Sequence, residues 1–244
     1  MITREEQIKQ LEKLEKKIKI KFINKDLLRQ VFVHRSFLNE NRQFDLGHNE
    51  RLEFLGDAVL ELVVTEYLFN NFPNPEGEMT NWRAALVRGE RICEVGKVLN
   101  FEDYLLLSHG EQKNNGKAKN IILANTYEAL VGAIYLDRGY KSAKKFIDDY
   151  LIIYLPEILE KQLHIDPKSR LQELTQEKLS ETPIYKVHQE WGPDHAKQFK
   201  IGVYLQNRLI GEGEGSSKQI AQINAAQNAL NSWKESENNF ISTI

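Results

Sequence analysis

The sequence predicts an α+β protein in two domains: an all-helical part over residues 1–160, then an α-β-β-β-α unit over 168–235. Three observations predict it. No period-two alternation of any length occurs before residue 160. The character of the chain changes at His164-Ile165-Asp166-Pro167, within a linker at 161–167. Beyond it, Tyr185-Lys186-Val187-His188 and Phe199-Lys200-Ile201-Gly202-Val203-Tyr204 alternate as half-buried strands do. Residues 236–244 carry neither pattern and read as a disordered tail.

The elements follow in order. Residues 8–20 make a charged amphipathic helix and 24–33 a short second one. Asn49 is placed to cap a long helix to about residue 70, which stops at the breaker Asn71-Phe72-Pro73-Asn74-Pro75. Met79-Thr80 opens a helical stretch to Leu99, and Asn114-Asn115-Gly116 marks a turn. Helices over 121–136 and 140–159 complete the first part. In the second part, a helix covers 169–179, a third strand 208–212, and Gly211, Gly213 and Gly215 form a glycine-rich turn. An alanine-rich helix runs from Lys218 to Trp233.

The chain has 244 residues, which at about 150 per domain allows one or two domains. Hydrophobic residues make up 41%, enough for a sizeable core. Lys+Arg number 33 against 35 Asp+Glu, a net charge of −2, which excludes a chain that is basic throughout. From residue 161 onward ten basic residues face ten acidic ones, so any grip on nucleic acid has to come from placement. Apolar runs such as 151–155 fall far short of the ~20 residues of a membrane span. The start, Met1-Ile2-Thr3-Arg4-Glu5-Glu6, has no apolar signal core. The single Cys93 excludes an internal disulfide and reads as a small core residue. Together these predict a cytoplasmic protein with no membrane partner.

The most informative stretch is Asn49-Glu50-Arg51-Leu52-Glu53-Phe54-Leu55-Gly56-Asp57-Ala58-Val59-Leu60. Glu50, Glu53 and Asp57 stand at i, i+3 and i+7 and share one helix face, while most of the remaining surface is apolar. Like charges at that spacing repel, and a hard divalent cation with oxygen ligands is the natural offset. A solvated acidic stripe is the plainer reading. Its apolar surroundings and the mid-helix Gly56 weigh against it. Glycine there costs ~1 kcal/mol against alanine, which points to close approach by another group. Asn125 and Glu128 repeat the i, i+3 spacing, and Glu128 is the lone acid of an apolar segment. Glu76 in Pro75-Glu76-Gly77-Glu78 is by itself only part of a turn.

These residues resemble bacterial ribonuclease III. The stretch from Asn49 to Leu60 matches the family signature nearly letter for letter. His34-Arg35-Ser36, Pro75-Glu76-Gly77-Glu78-Met79-Thr80, Arg83-Ala84-Ala85-Leu86-Val87 and Glu128-Ala129-Leu130-Val131-Gly132-Ala133-Ile134-Tyr135-Leu136-Asp137 follow in the right order. The second part resembles a double-stranded RNA-binding domain, on Leu171-Gln172-Glu173, Pro183-Ile184-Tyr185, Gly192-Pro193-Asp194-His195, Gly211 to Lys218 and Ala225-Ala226. The resemblance covers roughly residues 5 to 235. It implies an all-α endonuclease domain followed by the RNA-binding domain, acting as a homodimer on double-stranded RNA. It implies Mg²⁺ as cofactor, with Mn²⁺ able to substitute, and no small-molecule organic cofactor. Water attacks a phosphodiester, leaving 5′-phosphate and 3′-hydroxyl ends, in rRNA precursor processing and mRNA turnover.

By position, the resemblance makes Glu53 and Glu128 direct metal ligands and Asp57 a ligand or a holder of metal-bound water. Glu50 and Glu76 become acids that contact metal or water and position substrate, and Phe54 becomes an aromatic packed into the partner subunit. The family usually has Asp where this chain has Asn125. Three readings follow: Asn125 still ligates more weakly, the position is an outer contact, or the chain is a catalytically impaired double-stranded RNA-binding protein. The first two are favoured because Glu50, Glu53, Asp57, Glu76 and Glu128 are all present.

Double-stranded RNA is read by shape, across two minor grooves and the major-groove phosphates between them. Ser169, Gln172, Glu173 and Gln176, spaced at three or four, suit one minor groove, and His195 after Gly192-Pro193 suits the other. Ser217 and Lys218 at a helix start suit phosphate. Gln219 stands where the family usually has a second lysine, which predicts fewer phosphate contacts and a shallower salt dependence. Lys113, Lys117 and Lys119 form a basic stretch that fits an RNA backbone or a solvated loop equally well.

Overall fold

A computed structural model describes residues 3–113, 116–193 and 196–241, with side chains to residue 233. The chain divides into two compact units, Met1–His164 and Ile165–Ile244.

The first unit is helical. Helix α1 (Arg4–Ile18) starts four residues before the hydrophobic pattern does, because Thr3 and Glu6 close a capping box that satisfies the first free N–H groups. Helix α2 (Lys25–Val31) is capped by Asn24, whose side chain accepts from the Asp26 N–H. A short α3 (Arg35–Glu40), absent from the sequence reading, begins at His34. Helix α4 (Glu50–Asn71) is the long helix the sequence predicts. Asn49 does not cap it through its side chain. The buried Asn49 amide donates instead to the Val31 carbonyl at 2.9 Å and ties the helix start to α2.

The single stretch expected from Met79 to Leu99 is two helices, α5 (Glu76–Leu86) and α6 (Gly89–Val98). Arg88 takes an extended backbone between them, which hydrophobic periodicity does not register. After the short α7 (His109–Lys113), helix α8 (Lys117–Tyr150) joins the helix predicted over 121–136 to the first part of the one predicted over 140–159, which breaks at Leu151. It bends at Gly139, whose φ of 77° is open to glycine at little cost. A 3₁₀ turn at Ile152–Tyr154 precedes α9 (Leu155–Glu160). The core lies mainly between α4 and α8, with Leu60, Val63, Leu123, Tyr127, Leu130 and Ile134 fully buried. Cys93 is buried in it, as a small core residue should be. Among the described residues no helix is long and apolar enough to cross a membrane.

The second unit has the order α10 (Pro167–Leu179), β1 (Ile184–Trp191), β2 (Gln198–Leu205), β3 (Arg208–Gly215) and α11 (Lys218–Ile241). The three strands form one antiparallel sheet in sequence order. Gly211, Gly213 and Gly215 are not a turn. They lie in β3, alternating toward α11, where a Cβ on Gly213 would stand 2.2 Å from the Ala225 nitrogen. Glycine on the strand and Ala221, Ala225 and Ala229 on the helix let the two backbones meet. Helix α11 also runs to Ile241, past Trp233, so the expected tail at 236–244 begins inside it; residues 242–244 lie outside the described residues.

Candidate active site

Helix α4 carries Glu50, Glu53 and Asp57, and α8 carries Asn125 and Glu128. What brings the two sets together is a backbone crossing. A Cβ on Gly56 would lie 1.7 Å from the Glu128 carbonyl oxygen, and one on Gly132 would lie 2.2 Å from the Leu52 carbonyl oxygen. Only glycine fits at either point, which accounts for the mid-helix Gly56. Leu52, Val59 and Leu60 on α4 and Leu123, Ala124 and Leu130 on α8 bury the faces around the crossing. Glu53, Asn125 and Glu128 are half-buried at its margin, and Asp57 and Glu50 are exposed.

The charges at this margin act on one another. Burial raises the Glu53 carboxyl, and the charges of Glu50 and Asp57 raise it further, against a hydrogen bond from the Asn125 side chain. Burial, then the charges of Asp57 and Glu53, push Glu128 up to about 7. Among the described residues no cationic side chain contributes at either group. Among the described residues no three Asp, Glu, His or Cys side chains converge closely enough to hold an ion as they stand. The donor set is all oxygen, with Glu53, Asn125 and Glu128 half-buried and Asp57 exposed, and a hard divalent cation fits it.

Glu50 has partners of its own. Arg35 Nη1 lies 3.6 Å and His48 Nδ1 3.7 Å from its carboxylate. Sequence reasoning gave neither residue a role, because fifteen residues separate Arg35 from Glu50 and an irregular segment brings them together; the only signal was Arg35 within the matched His34-Arg35-Ser36. His34 itself is structural. Its Nδ1 meets the Ser36 hydroxyl at 2.8 Å, and that hydroxyl accepts from the Ser108 N–H at 3.1 Å. Burial lowers the His34 pKa.

Glu76 stands apart. It is exposed in the first turn of α5, accepts from the Thr80 hydroxyl at 3.1 Å, and does not contribute at Glu53 or Glu128. Two other motif residues serve the scaffold. Arg83 meets Glu61 at 2.9 Å and donates to the Thr65 hydroxyl at 2.8 Å, fastening α5 to α4. Asp137 accepts from the Ile23 and Asn24 N–H groups, both at 2.8 Å. On the outer face of α4, Phe54 is 82% exposed, Leu62 57% and Phe69 75%. Lys119 is paired with Glu102 at 2.6 Å, so the basic stretch of Lys113, Lys117 and Lys119 is partly neutralised.

In the second unit, Ser169, Gln172, Glu173 and Gln176 are exposed along α10. Lys168 donates to the Gln222 side chain at 2.8 Å, which sets the start of α10 beside the first turns of α11. There the Ser217 hydroxyl caps α11, accepting from the Ile220 N–H at 3.2 Å. The exposed Lys218 ammonium lies 5.5 Å from the Phe199 ring centre. Gln219 is exposed beside it. His195 lies outside the described residues.

A family model described as "Ribonuclease-III-like" matches residues 24–155, and one described as "Double-stranded RNA binding motif" matches residues 167–232. Among curated proteins, a Ribonuclease 3 of Enterococcus faecalis is 42% identical over 222 residues, 90% of this chain and 95% of that protein. A Ribonuclease 3 of Chloroflexus aurantiacus is 41% identical over 226 residues, 91% of each. Among solved structures, a nuclease domain of ribonuclease III from Campylobacter jejuni aligns with a TM-score of 0.54 at 41% identity. It covers 60% of this chain and 99% of that one, and is described for flexibility in a region involved in dimer formation.

Proposed function

The chain belongs to the ribonuclease III family and is an endoribonuclease of double-stranded RNA, and on that premise we propose that the α4–α8 crossing is its cation-dependent cleavage site. The observation that carries the reading is the backbone crossing at Gly56 and Gly132, which leaves the oxygen-bearing side chains of Glu53, Asn125 and Glu128 half-buried at its margin. Glu53 and Glu128 are the direct ligands, Asp57 is a ligand or holds ligand water, and Asn125 adds its carbonyl oxygen directly or through water. Magnesium, with manganese able to replace it, supplies positive charge at the phosphate and an acidified water when bound. Glu50, steadied by Arg35 and His48, orients water and substrate from the exposed margin. Glu76 positions substrate from the start of α5.

Water forms the new P–O bond as the bond to the 3′ oxygen breaks, leaving 5′-phosphate and 3′-hydroxyl ends. The second unit holds the duplex: the α10 face offers polar groups to a minor groove, and Ser217 and Lys218 offer phosphate contacts. The exposed apolar face of Phe54, Leu62 and Phe69 is the surface of a homodimer, since a monomer leaving it in water is unfavourable. Processing of rRNA precursors and mRNA turnover are the cellular work that fits this chemistry. The reading as a catalytically impaired binder is not favoured, because Asn125 alone departs from a set whose other acids are all present.

End-labelled long double-stranded RNA tests the proposal. With Mg²⁺ the chain should release fragments with 5′-phosphate and 3′-hydroxyl ends, and with chelator it should bind and not cut. Cleavage undiminished by chelator would remove the cation from the account.

A further inference from the structure

The irregular segment 41–49, between α3 and α4, carries His48 and leads into Glu50. Among the described residues its backbone makes one hydrogen bond within the segment, from the Phe44 N–H to the Asn41 carbonyl at 3.0 Å. The ties that hold it run to α2 and the residues just after. Asp45 accepts from Arg29 Nη1 at 2.8 Å and from Arg29 Nη2 at 2.9 Å. The Gln30 side chain donates to the His48 carbonyl at 3.1 Å, and the Asn49 N–H donates to the Val33 carbonyl at 2.9 Å. Arg29 is itself firmly held. Its side chain is 2% exposed, donates to Gln7 on α1 at 2.7 Å and to Asp26 at 2.8 Å, and lies 5.6 Å from the Phe44 ring centre. A planar guanidinium fixed in this way presents a two-pronged edge and dictates where the paired carboxylate sits.

Resting on the role given to Glu50 above, we propose that Asp45 is a positioning residue for cleavage: paired with the buried Arg29, it fixes segment 41–49 and so sets where His48 stands against Glu50. At the far end of the segment the contacts are long. Arg35 Nη1 at 3.6 Å and His48 Nδ1 at 3.7 Å from the Glu50 carboxylate both lie beyond hydrogen-bond length. His48 Nδ1 is shut off from solvent and has no hydrogen-bond partner among the described residues. Contacts this long do not place a side chain unaided; the backbone that carries His48 does, and Asp45 anchors that backbone. Glu53 and Asp57 stand further along α4, where the crossing at Gly56 and Gly132 sets them, so loss of Asp45 should disturb the surroundings of Glu50 and spare theirs. The Asp45 side chain is 51% exposed, so its removal opens no cavity in the core.

The test is a double-mutant cycle on the full-length protein: wild type, Asp45→Ala, Glu50→Gln and the pair together, in single-turnover cleavage of long double-stranded RNA at saturating protein with Mg²⁺. Asp45→Ala should cut about tenfold more slowly, the scale of a sub-ångström misplacement, with duplex affinity in chelator unchanged. In the Glu50→Gln background the same substitution should cost nothing further, because a residue that acts through Glu50 has nothing left to place. The His48 ring resonances, identified by their loss in His48→Gln, should shift in Asp45→Ala. Asp45→Asn keeps one oxygen for Arg29 and should recover part of the rate; it replaces Asp45→Ala throughout if that variant does not fold. A wild-type rate in Asp45→Ala, losses that multiply in the double variant, or His48 resonances that stay put would overturn the positioning role and leave the cleavage site as proposed. A wild-type rate in Glu50→Gln would instead remove Glu50 from that site, and the role of Asp45 with it.

Discussion

The α4–α8 crossing and the α10–α11 surface are built on opposite principles. At the crossing, Glu53 and Glu128 are half-buried and feel neighbouring negative charge with no cationic side chain among the described residues to offset it, so their protonation is displaced upward. At the α10–α11 surface, Ser169, Gln172, Gln176 and Lys218 are exposed on two helices. Chemistry needs groups held in a costly electrostatic state that a cation relieves. Grip on a duplex needs solvent-ready donors at fixed spacing, whose energy comes from many small contacts. A substitution at the crossing should therefore act on rate, and one at the surface on affinity.

The largest effect should come from Glu128→Ala. If Glu128 holds the cation as proposed, its loss should cost several kcal/mol of transition-state stabilisation, about 10³-fold in single-turnover cleavage, with duplex affinity held. Equal loss of rate and affinity would break the division. Next is Gly56→Ala. Its Cβ would fall 1.7 Å from the Glu128 carbonyl oxygen, so the two helices must part. A loss of about 3 kcal/mol in urea unfolding is expected, the upper end for overpacking, and an unaffected midpoint would refute the crossing.

A smaller effect is the response of the cation-free protein to pH. Glu128 has its folded pKa raised from 4.5 to about 7. Between those values the native state holds a proton that the unfolded state has released, so this group makes stability fall as pH rises through the window. Chelator melts at pH 5 and pH 7.5 should show that loss in wild type and less of it in Glu128→Gln; equal losses in the two proteins would contradict it. The smallest effect belongs to Lys218→Ala, which should lower the slope of log affinity against log salt by about 1 and leave thermal stability alone. An unchanged slope would take Lys218 off the phosphates.

Much of this was legible in the sequence, and the rest was not for physical reasons. The i, i+3, i+7 acids with a glycine among them located α4, and the close approach inferred for Gly56 is the crossing itself. Its counterpart Gly132 is not legible in the sequence, because one glycine in an apolar helix gives no local sign of what it faces. Gly211, Gly213 and Gly215 read as a turn because local rules associate glycine with bends; their alternation against alanines on α11 is a tertiary fact. Asn49 resembles a cap by type, yet a buried carbonyl on α2 takes its amide. Arg35 and His48 stand beside Glu50 only after an irregular segment folds, so no periodicity finds them. Only the resemblance groups Glu76 with the other acids, and its side chain contributes at neither Glu53 nor Glu128.

The most direct measurement takes Glu128→Gln and Lys218→Ala through the same two assays, duplex affinity in chelator and single-turnover cleavage at saturating protein with Mg²⁺. The account predicts that Glu128→Gln binds as wild type does and barely cuts, while Lys218→Ala binds more weakly and, once saturated, cuts at the wild-type rate. If Glu128→Gln cuts normally, or if saturation fails to restore Lys218→Ala, the separation of chemistry at α4–α8 from grip at α10–α11 is wrong.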